Sequence, residues 1–208
     1  MVSGCLAKVV CSDARHNFLF HYLAAVALAV ITTFIFGLSE LDERLAAQPL
    51  EIMLPLTGVI LMTPVFMPEQ NDDIRDVIRS KKTSYLGICF IRLISSAVIL
   101  TVVTAVFMFY MKSQDSEVTA RMFRGSVVTS LALGSIGFFT SAVSDNTIVG
   151  YMAAIMYYLC NFVMKDKLDR FYLFSMMSGS FEEKRWLLGM AAVLVVSGFI
   201  YRRAVKKQ

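Results

Sequence analysis

Six apolar runs divide this chain, at residues 18–38, 50–67, 85–111, 125–143, 147–164 and 186–201, and only short polar segments separate them. About 20 residues of α-helix, each rising ~1.5 Å, cross the ~30 Å hydrocarbon core of a bilayer. Backbone amides find no water there, so a crossing run must satisfy its own hydrogen bonds as a helix. The pattern predicts an all-α, polytopic membrane protein with six transmembrane helices in one membrane domain spanning 1–208. Composition agrees: 57% of the 208 residues are hydrophobic and only 17% are charged, where a soluble domain carries about a quarter. The bases are scattered among loops rather than interleaved with aromatics, so nothing points to nucleic acid.

Residues 1–17 mix charges with apolar side chains and suit either an interfacial amphipathic helix or a frayed tail. The run that follows is longer than the apolar part of a secretory leader. Pro55 and Pro64 predict a kinked second span. The fourth run carries Ser126, Ser130, Gly134, Gly137 and Ser141, a small-residue stripe suited to close helix contact within the chain. The fifth is aromatic, with Tyr151, Tyr157, Tyr158 and Phe162 facing core or lipid. Arg92 lies about two turns into the third run, where snorkelling to the headgroups is the cheapest arrangement. The other five runs read as essentially free of ionisable residues at membrane depth, which disfavours an ion-coupled carrier.

Charge near the first spans sets orientation. Lys8 and Arg15 precede run one, only Arg44 follows it, and Arg75, Arg79, Lys81 and Lys82 fill the segment after run two. Both termini, the 68–84 segment and the 144–146 turn are therefore expected in the cytoplasm. Bases in 165–185 run against that rule and draw attention to this loop. Within it, residues 171–177 are largely apolar and precede Ser178-Gly179-Ser180. Seven residues are too few to cross. They form either a re-entrant hairpin dipping into the outer leaflet, shielded by protein, or an interfacial helix lying flat. The re-entrant reading makes Phe171, Leu173 and Phe174 an outer gate.

Catalytic and ligand motifs are missing from the sequence. There is no G-x-x-x-x-G-K-[ST], no H-E-x-x-H and no C-x-x-C, and His16 and His21 stand apart. Cys5, Cys11, Cys89 and Cys160 avoid the expected outer loops, so no disulfide framework is implied. The chain is expected to be neither an enzyme nor a holder of a metal or cofactor. Its most polar stretch is 64–92. Pro68 suits a first helical turn. Glu69, Asp72, Asp73 and Asp76 crowd the start, and Arg75, Arg79, Lys81 and Lys82 the end, in the order that complements a helix dipole. Ile74, Val77 and Ile78 form one apolar stripe. Such a helix lies on headgroups or docks into a soluble partner.

With six spans, the segment PEQNDDIRDVIRSKKTS between spans two and three, and a re-entrant-like loop before span six, the chain resembles the type-2 ABC exporter permeases. The likeness covers nearly the whole chain in architecture, and in sequence rests on 64–92. In that family a Glu just after span two starts a coupling helix, and a basic residue lies early in span three; Glu69 and Arg92 hold those places. Lys82-Thr83-Ser84 stands where the family has Pro-Ser or a Pro-hydrophobic pair. The resemblance implies a bacterial inner-membrane export permease that dimerises with a second copy or a paralogue. It implies a separate ATPase subunit, carrying the ATP and Mg, against which Glu69, Asp73, Ile74, Val77 and Ile78 would pack. Its implied substrate is amphipathic or hydrophobic, such as a peptide. A non-transporting scaffold or sensor subunit, docking a soluble partner through the same helix, fits the same residues. An intramembrane enzyme fits them worst, for want of a polar constellation.

Overall fold

The computed structural model describes residues 17–70, 85–164, 167 and 169–205. Among these the chain is helical, with no strand: α1 (Leu19–Phe36), α2 (Glu43–Ile52), α3 (Pro55–Met62), a 3₁₀ stretch (Thr63–Gln70), α4 (Tyr85–Ser113), α5 (Ala120–Ser144), α6 (Thr147–Val163) and α7 (Glu183–Val205). Five units are long and apolar enough to cross a membrane: α1, the composite Glu43–Pro68, α4, α5 and α7. They fit a multi-pass membrane protein. The expected fifth span is α6, whose 17 residues make it the shorter apolar helix of the set. Among the described residues, then, five helices have the length and apolarity to span, with α6 one residue short of the 18 that the others reach or exceed.

Several helices extend past the apolar runs. α2 starts at Glu43, α5 at Ala120 and α7 at Glu183, and α7 continues to Val205. Their end turns carry charges, so a reading by hydropathy cuts them short. Glu183 opens α7 and Arg202 and Arg203 close it, each at the end where the helix dipole favours its charge. The composite span breaks at Met53–Leu54, and Pro55 restarts the helix in its first turn, a position where its missing N–H costs nothing.

Glu43–Pro68 and α5 form the centre. In their most apolar stretches 72% and 61% of residues are buried, against 11% in α1 and 17% in α7. Lipid tails are as apolar as leucine, so helices in a bilayer associate through close packing rather than through exclusion of water. The stripe on α5 provides that packing. A Cβ on Gly58 of α3 would lie 1.9 Å from the Ser130 carbonyl oxygen. One on Gly134 would lie 2.5 Å from the Gly58 oxygen, and one on Gly150 of α6 2.6 Å from the Gly137 oxygen. Ser126 Oγ donates to Leu50 O across the same seam at 2.8 Å. The stripe is an intrachain contact, as expected. The α5–α6 turn is as tight as its sequence suggests: Asp145 takes φ 51° and Asn146 Oδ1 accepts from Ile148 N at 2.8 Å.

Gly58→Ala is expected to push α3 off α5 and cost about 1–3 kcal/mol through overpacking. Gly189→Ala, where nothing lies within 4 Å of the new Cβ, should be neutral or slightly stabilising. Thermal unfolding of the two variants in detergent micelles checks the contrast.

Candidate functional site

Glu51 ends α2 and Lys184 begins α7, and the two meet inside the bundle. Lys184 Nζ lies 2.5 Å from Glu51 Oε1, with side-chain exposures of 7% and 0%. A lysine ammonium has three N–H donors. Here they go to Glu51 Oε1, to Thr129 Oγ1 of α5 at 2.7 Å and to Leu173 O at 2.6 Å. The carboxylate also accepts from Met176 N at 2.9 Å and Met177 N at 3.0 Å. A buried pair offsets its desolvation only when further hydrogen bonds engage it, and here all three ammonium N–H groups and both carboxylate oxygens are engaged.

The segment before α7 depends on the same bonds. It consists of two 3₁₀ turns, Asp169–Phe171 and Met176–Ser178, and closes at Gly179 with φ 78°. Neither turn supplies helical hydrogen bonds for the link between them, so side chains do. Leu173 N donates to Asn161 Oδ1 at 2.9 Å, and Tyr157 Oη donates to Phe171 O at 2.7 Å. Non-helical backbone is tolerated in a membrane protein only when protein satisfies it in this way. The segment is therefore inserted in the protein rather than lying flat as an interfacial helix. Leu173 and Phe174 are buried in a cluster with Leu133 and Leu187. Phe174 packs on Phe162 at 4.6 Å and on Tyr158 at 5.6 Å between ring centroids. Phe171 is 41% exposed, so the expected gate trio is split between core and surface.

The reading that run two is essentially free of ionisable residues is corrected by Glu51, and the lysine that meets it lies just outside run six. Glu51 is the second residue of run two and Lys184 stands two residues before run six, 133 positions away. Each looks like the edge of a span. An acid already inside an apolar run was the signal available.

A second polar cluster sits at the opposite end of the bundle. Arg92 is 7% exposed and does not snorkel; Nη1 donates to Val65 O at 3.2 Å and the guanidinium lies 5.8 Å from the Phe18 ring centroid. The cause is local. In the 3₁₀ stretch the natural partner of Val65 O is the N–H of residue 68, and that residue is proline. The arginine supplies the missing donor. Arg202 Nη2 pairs with Asp145 Oδ1 at 2.7 Å, and its guanidinium lies 4.8 Å over Phe66. Phe66 in turn packs on Phe138 at 4.8 Å.

Of the residues expected to meet an ATPase, Glu69 lies in the 3₁₀ stretch Thr63–Gln70. Asp73, Ile74, Val77 and Ile78 lie outside the described residues. No family model matches the chain, and no curated protein or solved structure matches it either.

Glu51→Gln and Lys184→Gln each remove half of a buried pair, and each is expected to cost about 3–5 kcal/mol. The double variant should lose less than the sum of the two, because neither charge is left alone. Unfolding in detergent measures the cycle. Limited proteolysis should find cleavage at 165–182 enhanced in both single variants.

Proposed function

We propose that the chain is the transmembrane permease subunit of an ATP-driven exporter in a bacterial inner membrane, with six crossings and both termini cytoplasmic. It works as a dimer with a second copy or a paralogue, and a separate ATPase subunit hydrolyses the ATP. The observation that carries this reading is the segment 172–180, non-helical and folded into the end of the bundle. Side-chain bonds from α2, α6 and α7 hold it. An outer closure needs this construction, since separating a few bonds releases the segment as a unit. The composite Glu43–Pro68 links it to the other face, with Glu51 near one end and Val65 near the other. Movement imposed on the 69–82 segment by an ATPase would travel along that element to Glu51.

The Gly58–Ser130 contact leaves no room for a substrate between α3 and α5 of a single copy. A route for substrate then runs along the surface of the bundle, between two copies or against lipid. That favours an amphipathic or hydrophobic cargo such as a peptide. The same close α3–α5 contact is what favours the second reading, a non-transporting scaffold or sensor subunit docking a soluble partner.

The test is recovery of a nucleotide-hydrolysing partner with the wild-type, Ile78→Asp and Lys81→Gln chains. Burial of an isoleucine contributes about 1.5–3 kcal/mol, and an aspartate in its place adds a charge to a desolvated contact. A rim lysine contributes little. Ile78→Asp should lose the ATPase while Lys81→Gln keeps it. Equal recovery with all three rejects the docking helix. No ATPase with wild type leaves the scaffold reading in its place.

A further inference from the structure

At the Lys184 end of the bundle, beside the inserted segment, a cavity of about 330 Å³ opens to the surface. Its rim carries Glu43, Arg44 and Arg121, and its floor is Met122, Met176 and Phe181. Arg44 lies in the first turn of α2 and Arg121 in the first turn of α5. The helix dipole disfavours a cation at both places. Neither guanidinium has a carboxylate partner among the described residues, where the ion pairs are Lys184–Glu51 and Arg202–Asp145. Two cations thus stand where helix stability does not ask for them, facing one recess. The floor is fixed: Met122 and Met176 are buried, and Met176 is held by its amide to Glu51 and by its sulfur against Gly125.

We propose that this cavity binds the phosphodiester headgroup of an anionic phospholipid from the leaflet on that side of the bundle. Arg44 and Arg121 provide charge-assisted hydrogen bonds to the phosphate oxygens, the geometry for which guanidinium is suited. Two bases against one acid give the lining a net charge of one positive, which matches one phosphodiester. The apolar floor below the cations asks for a molecule that is anionic at one end and apolar at the other. A soluble anion would use the arginines and leave the methionines and Phe181 facing water. The rim lies at the ends of spanning helices, the depth at which headgroups sit. The site is independent of any export activity and stands or falls without it.

Native mass spectrometry of the full chain in detergent tests this, with dioleoyl phosphatidylglycerol, dioleoyl phosphatidylcholine and glycerol 3-phosphate as probes. The wild type should retain one phosphatidylglycerol at least about tenfold more tightly than phosphatidylcholine. The pair Arg44→Gln with Arg121→Gln should lose that preference. The pair Lys112→Gln with Arg124→Gln removes the same charge from exposed positions outside the cavity and should keep it. Equal loss in both pairs would reduce the effect to general surface charge and overturn the proposal. Competition by glycerol 3-phosphate as strong as that of the lipid would overturn it in favour of a soluble anion. Equal retention of the two lipids by the wild type would overturn it as well.

Discussion

One ion pair sets what the Lys184 end of this protein can be. A lysine and a glutamate taken out of water together are tolerable only if every remaining donor and lone pair is met. Glu51 and Lys184 engage all three N–H groups and both carboxylate oxygens by drawing in Thr129 from α5 and three backbone groups of the segment before α7. The dependence runs both ways. That segment has too little helix to satisfy its own backbone, and without the two charges Leu173 O and the amides of Met176 and Met177 would be buried and unpaired, a costly state. The pair and the segment are one structural unit.

The same logic recurs at the opposite end with different chemistry. Pro68 removes the donor that the Val65 carbonyl would use, and Arg92 of α4 replaces it. Arg202 ties the last turn of α7 to Asp145 and lies over Phe66. Between the two polar ends, the Gly58–Ser130 approach fixes how closely α3 and α5 can lie. The composite Glu43–Pro68 takes part in all three layers, which makes it the spine of the molecule. Breaks at Met53–Leu54 and in the 3₁₀ stretch sit at its prolines and give it places to bend.

What the sequence made legible was local. Apolar runs marked the helices, the Ser/Gly spacing of 126–141 marked the α5 seam, and Asp145-Asn146 marked a turn. Each signal lies within a few turns of chain. The pair was illegible because its partners are 133 positions apart and each sits at the edge of a run, where a charge looks like the end of a span. Arg92 was misread because its partner is a carbonyl freed by a proline in another element. For the 171–177 stretch, apolar character left a re-entrant dip and a flat interfacial helix equally open. Only the placement of Asn161, Glu51 and Lys184 separates a segment embedded in protein from a helix on the membrane surface. The assignment of 69–82 as a docking helix rests on charge order, an apolar stripe and a family resemblance.

The central claim is that the segment before α7 is held inside the protein by Glu51, Lys184 and Asn161. Hydrogen exchange of the wild-type chain in detergent reads this most directly, at the amides of Leu173, Met176 and Met177. These amides donate to side-chain oxygens rather than to a helix. If they are bonded in a dry interior, they should exchange as slowly as the amides of Ala132 and Leu133 in the middle of α5. Exchange as fast as that of the exposed residue Ser39 would contradict the claim, because it would leave the segment open to water and the buried pair without its backbone partners.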